Sequence, residues 1–178
     1  MRRLYGDMSF QVTRPNGTKS NAIVEVRNIE RHDCLNREGK LSNIRKQNQV
    51  TMTLLFQVTL ERLLTASLIF KGLMIEWVMV RGYGEKVDPS NDGIPDVWQE
   101  SNYQVFKRIT DNANAAMLNF YSPVYPELAV KSFLTYLHSF VTLFTDKCRK
   151  CNYHLHNNIP PTWREFKTLE PYHEDCRP

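Results

Sequence analysis

Polar and apolar positions alternate near the start of the chain. Met8, Phe10 and Val12 are separated by Ser9, Gln11 and Thr13, the period of a strand with one buried face. Residues 21–26 (Asn-Ala-Ile-Val-Glu-Val) also read as strand. Between them Asn16-Gly17 tolerates the positive φ of a tight turn, so a hairpin is expected. Residues 27–49 mix charges with little periodicity and read as a long loop or disordered insert. Residues 52–58 regain only weak strand character.

Residues 63–70 and 74–83 are bulky and β-branched, with Lys71-Gly72 between them. They predict two antiparallel strands, although residues 60–64 also suit a helical turn. Residues 82–95 carry Gly84, Pro89, Gly93 and Pro95 and read as loop. A helix should then start at Asp96 or Ser101, since each stands three residues before a glutamine, as in a capping box. Phe106, Ile109, Ala113, Ala116, Met117 and Phe120 follow at helical spacing. Pro123 and Pro126 interrupt the pattern, and Pro126 suits the first turn of a second helix. Its stripe is Val130, Phe133, Leu134, Leu137, Phe140, Val141 and Phe144, which reads as core. Strands followed by helices predict an α+β fold, an antiparallel sheet whose one face the two helices cover. The expected division is an α+β domain over residues 1–147 and a small zinc-binding tail over 148–178.

Composition narrows the class. The chain has 178 residues, 42% hydrophobic and 24% charged, which suits one compact domain and excludes collagen-like or low-complexity sequences. The net charge of +4 is unevenly placed, because residues 1–57 hold 10 basic and 5 acidic side chains. The remainder holds 13 and 14, so the cysteine-rich end has no strong basic face for nucleic acid. No apolar run follows Arg2-Arg3, so no secretory signal is read. Residues 60–80 include Glu61, Arg62, Lys71 and Glu76 and read as core, not membrane span. A reducing compartment is expected, with Asn16 unglycosylated and the cysteines as thiols or metal ligands.

The tail holds the strongest chemical signal. Cys148-x-x-Cys151 is followed after 21 residues by His173-x-x-Cys176. Such paired knuckles bring three soft sulfurs and one nitrogen around one ion, the tetrahedral set that Zn²⁺ favours. His154 and His156 compete for the nitrogen position, and His173 is preferred because it pairs with Cys176. Cys34 lies in the polar insert and reads as unrelated. A redox Cys-x-x-Cys would follow a strand and open a helix, whereas this one follows an apolar helix. A closed four-ligand site leaves no open position for water, so the zinc reads as structural and the protein as non-enzymatic. Thr162-x-x-Glu165 predicts a short helix carrying Trp163, Phe166 and Leu169 on one face. Gly82-Tyr-Gly84-Glu85 resembles only part of a phosphate loop, and Asp88, Asp92 and Asp96 read as a solvated turn.

Residues 101–113 (Ser-Asn-Tyr-Gln-Val-Phe-Lys-Arg-Ile-Thr-Asp-Asn-Ala) and 160–176, from Pro-Pro-Thr-Trp-Arg-Glu-Phe to His-Glu-Asp-Cys, resemble the C-terminal half of the Mediator complex subunit 27 family. Residues 8–18 and Val80-Arg-Gly-Tyr83 resemble it too, so the likeness spans roughly 5–26 and 59–178. The resemblance implies a nuclear, non-enzymatic subunit of Mediator, which links DNA-bound activators to RNA polymerase II. It implies other subunits of the upper tail region as partners, no membrane and no direct nucleic-acid contact. It carries over Cys148, Cys151, His173 and Cys176 at matching positions. It also implies that the family's N-terminal helical half is missing from this sequence and that residues 27–58 are an atypical insert, expected to be looped out or disordered. The reading from a different class is a nucleic-acid-binding zinc module.

Overall fold

The computed structural model describes residues 7–13, 25–27, 51–87, 96 and 98–178. Five strands form one antiparallel sheet: β1 (Met8–Thr13), β2 (Glu25–Arg27), β3 (Thr51–Leu60), β4 (Leu64–Lys71) and β5 (Met74–Gly82). The order is β1-β3-β4-β5, and β2 also pairs with β3. Two helices follow, α1 (Gln104–Phe120) and α2 (Pro126–His138), the second prolonged by a 3-10 turn over Ser139–Thr142. The fold is α+β, as the order of patterns implied.

The inward face of the sheet alternates with the outward one. Met8, Val58, Leu60, Leu64, Ala66, Leu68, Val78 and Val80 are buried against Phe106, Ile109, Ala113 and Ala116 of α1 and Phe133, Leu134 and Leu137 of α2. Cross-strand pairing places these residues opposite one another, Met8 with Leu60, Val58 with Ala66, and Ala66 with Val80. Register is held because a slip of one residue would expose the whole set. The β4–β5 turn takes Gly72 at φ 64°, where a side chain would be strained.

An edge strand must satisfy or hide its outer backbone groups. For β5, α1 does this with side chains. The amide of Asn114 accepts from the Val78 N–H at 3.1 Å and donates to its carbonyl at 2.8 Å. The Thr110 hydroxyl accepts from the Val80 N–H at 3.0 Å. Helix α1 thus lies along the edge where a further strand would add.

Several expectations change. Residues 51–58 belong to β3, which pairs along both sides, so this part of the segment 27–58 is central sheet rather than insert. Thr51, Thr53, Gln57 and Thr59 alternate with Met52, Leu54, Phe56, Val58 and Leu60, a strand period that only Leu55 interrupts. Residues 28–50, Cys34 among them, lie outside the described residues, as do the turn at 14–18 and strand residues 21–24. β1 and β2 do not form a hairpin with each other. Both run antiparallel to β3 on the side opposite β4, Thr13 facing Leu55 and Glu25 facing Thr53, so they share one direction and one edge.

Neither capping box forms at α1. The cap residue is Tyr103, without a side-chain cap. Ser101 Oγ instead accepts from the Tyr103 N–H at 3.1 Å and donates to Glu85 at 2.8 Å. Glu85 also accepts from the Gly82 N–H at 2.9 Å and from the Asn102 N–H. Burial opposes its charge, but these donors and nearby Arg81 hold the carboxyl below its ordinary range. The Gly-Tyr-Gly-Glu run is therefore a clasp between the end of β5 and the start of α1, not a phosphate loop. In α2, Pro126 occupies the first turn as expected, while Phe144 is exposed beyond the 3-10 turn and outside the core stripe.

Candidate metal centre

The tail begins where the 3-10 turn ends. Cys148 is buried at the start of a tight turn, with Asn152 N–H donating to the Cys148 carbonyl at 2.9 Å. Asn152 sits at φ 59°, a left-handed conformation that asparagine tolerates, and this curls Cys148 and Cys151 toward one point. His173 and Cys176 bracket a 3-10 turn over Glu174–Cys176, closed by a Cys176 N–H bond to the His173 carbonyl at 2.9 Å. The knuckles are joined by a two-stranded ribbon, β6 (Trp163–Arg164) and β7 (Pro171–Tyr172).

The expected short helix after Pro161 is therefore a strand and a turn. Glu165 does not close a capping box with Thr162. Its carboxylate accepts from the Lys167 and Thr168 N–H groups and braces the β6–β7 turn. Pairing of Trp163 with Tyr172 and Arg164 with Pro171 takes the backbone that a helix would have used. The aromatic residues still pack as expected. Trp163 lies 5.6 Å from Tyr172 and 5.8 Å from Phe166, and Phe166 and Leu169 rest on the main core.

The ribbon brings all four sequence-predicted ligands together. The sulfurs of Cys148, Cys151 and Cys176 and a ring nitrogen of His173 lie within 4.8 Å of one another. Nδ1 of His173 is 3.3 Å from Cys151 Sγ. A zinc tetrahedron with bonds of about 2.0–2.3 Å has edges of roughly 3.5–3.8 Å, so modest contraction closes this set on an ion. All three cysteines are free thiols. The competing histidines are engaged elsewhere: His154 Nδ1 is 3.3 Å from the Asp146 carbonyl, and His156 Nδ1 is 3.3 Å from Asp175.

The electrostatics suit a cation. Burial raises the Cys148 thiol, but the N–H groups of Cys151, His173 and Lys150 outweigh it and hold the thiol below 9.0. Burial and the adjacent sulfurs of Cys148 and Cys151 push Cys176 up to about 11. Burial holds His173 below its ordinary 6.5, keeping the imidazole neutral. Three thiolates this close repel unless a positive ion stands among them, and a divalent ion would deprotonate all three. The cluster could hold a metal ion.

Two residues that the sequence pattern left unmarked lock this tail to the body. Asn112 of α1, 6% exposed, donates to the Thr162 carbonyl at 3.0 Å and accepts from Arg177 at 2.9 Å. Arg164, 1% exposed, pairs with Asp146 at 2.9 Å, and its guanidinium carbon lies 5.2 Å from the centre of the Phe140 ring. No sequence signal marks them, since Asn112 stands among Thr110, Asp111 and Asn114 and Arg164 stands beside Glu165.

Comparison with known proteins covers both the helices and the tail. A family model described as Mediator complex subunit 27 matches residues 95–177. Mediator of RNA polymerase II transcription subunit 27 of Aedes aegypti is 50% identical over 123 residues, 69% of this chain and 41% of that protein. The Drosophila melanogaster protein of that name is 48% identical over 120 residues, 67% of this chain and 39% of its own. The Danio rerio protein is 33% identical over 175 residues, 98% of this chain and 45% of its own, a stretch that takes in residues 27–58. The chain spans less than half the length of these curated relatives. The match across helix and tail, at these identities, makes the chain a member of the Mediator complex subunit 27 family.

Proposed function

We propose that this chain serves as a non-enzymatic, structural part of a Mediator subunit, in the nucleus, with a structural zinc ion held by Cys148, Cys151, His173 and Cys176. Its partners would be other Mediator subunits of the tail or upper region and, through them, activators and RNA polymerase II. The observation that carries the reading is the convergence of the four donors in a chain 50% identical to a Mediator subunit over 123 residues. The donor chemistry favours zinc, which takes sulfur and imidazole together. When bound, the ion would cross-link the two knuckles and neutralise the crowded sulfurs. The chain's own residues do the rest: Asn112, Arg164 and Phe166 hold residues 148–178 as a module against the helices of the domain.

No helix among the described residues is long and apolar enough to cross a membrane. From Cys148 to Pro178 there are 5 basic and 4 acidic side chains, a balance that gives little attraction to phosphate. Affinity purification of the tagged chain from nuclear extract, with mass spectrometry and zinc analysis, tests the proposal. Co-purification of Mediator subunits with one zinc per chain is the expected outcome. Steeply salt-dependent DNA binding without those subunits would favour a nucleic-acid-binding zinc module instead.

A further inference from the structure

Four buried polar atoms lie where the tail meets α2. Among the described residues the Tyr136 hydroxyl, the Thr162 hydroxyl and two guanidinium nitrogens of Arg164, Nε and Nη2, have no hydrogen-bond partner. All three residues are at most 1% exposed. The groups share one neighbourhood. The Tyr136 ring lies 5.4 Å from the Phe140 ring, over which Arg164 sits at 5.2 Å. Tyr136 also contacts Phe166, two residues beyond Arg164, at 6.2 Å. Thr162 and Arg164 are buried while Trp163 between them is not, so the first two side chains share one face.

We propose that these atoms bind one internal water molecule, which bridges α2 to the tail. The stoichiometry fits. Nε–H and Nη2–H form the side fork of a guanidinium and together supply two donors to one acceptor. A water oxygen accepts both, and its two hydrogens donate to the Tyr136 and Thr162 oxygens. Buried waters hold their positions with such sets of two to four polar partners. Leaving all four groups unpaired would cost far more than ordering one water. A halide could also accept from the fork. Asp146 already balances Arg164 through Nη1, however, so a second anion would leave an uncompensated buried negative charge.

Three variants of the full chain test the site. Tyr136→Phe removes only the hydroxyl and is expected to shift the unfolding equilibrium about tenfold toward the unfolded state. Thr162→Val should act similarly. The double variant should shift it much less than the hundredfold product, because both hydroxyls act through one water. A crystal structure should show ordered density within hydrogen-bond distance of Nε and Nη2, with no anomalous signal after growth in bromide. Tyr136→Phe at or above wild-type stability would overturn the proposal. So would fully multiplicative effects, a bromide peak at the fork, or a direct Tyr136–Arg164 hydrogen bond.

Discussion

The sheet-and-helix body and the tail bury different chemistry. In the body the interior is chiefly Val, Leu, Ile, Ala and Phe, with Met8 and Tyr136, drawn from strands β1 and β3–β5 and from both helices. In residues 148–178 the buried side chains are Cys148, Pro160, Pro161, Thr162, Arg164 and His173. The body can be held by the hydrophobic effect, which scales with area and tolerates compensation. The tail is too small for that and depends on directional bonds, each with few substitutes.

Metal should separate the two regions most sharply. Chelation, or Cys151→Ser, is expected to remove all the bound zinc and free residues 148–178, since such sites contribute on the order of 10 kcal/mol to local order. Far-ultraviolet circular dichroism should retain the strand and helix signal, while limited proteolysis cuts within the tail. Global unfolding in the chelator would erase the distinction. In the opposite direction, Ile109→Ala opens a cavity where a 0% exposed side chain joins α1 to the core, at a cost of about 2–5 kcal/mol. Denaturant titration should show that loss while zinc stoichiometry stays at one per chain.

Smaller effects sharpen the boundary. Asn112→Ala cuts the bonds from α1 to Thr162 and Arg177 and should cost about 1–3 kcal/mol. Hydrogen exchange should rise in β6 and β7 more than in the sheet. Gly82→Ala places a Cβ 2.9 Å from a Phe106 ring carbon and should cost about 1–3 kcal/mol, with the tail unaffected. The least is expected of Glu85→Gln, which acts through pH. The folded carboxyl lies below its ordinary 4.5, so its contribution is complete above that value and fades as pH falls through the folded value. Thermal unfolding between about pH 6 and 3 should be less pH-dependent in the variant, as the linkage requires.

The two regions also differed in how far they could be read. The knuckles at 148–151 and 173–176 were plain because metal ligation needs particular residue types at short spacing, and local backbone turns supply the geometry. Helices α1 and α2 were plain because a 3.6-residue stripe survives over several turns. Strand β3 alternates polar and apolar residues but follows directly on the long polar run 27–49, and the ribbon of the tail was hidden by a capping-box pattern that pairing with residues 171–172 overrides. The edge role of Thr110 and Asn114 had no sequence mark beyond their spacing of four, because their partners are backbone groups 30 and 36 residues away.

By itself, then, the sequence determined the class of fold, the two helices, the four candidate ligands and the family likeness. These depend on residue type and on spacing within one or two turns of chain. Tertiary structure decided which side of β3 the first strands join, that α1 shields the β5 edge, and that Glu85 clasps a helix rather than a phosphate. It also decided how Asn112 and Arg164 lock the tail. Those outcomes depend on partners far apart in the chain, where the burial of a polar group dictates what it must meet.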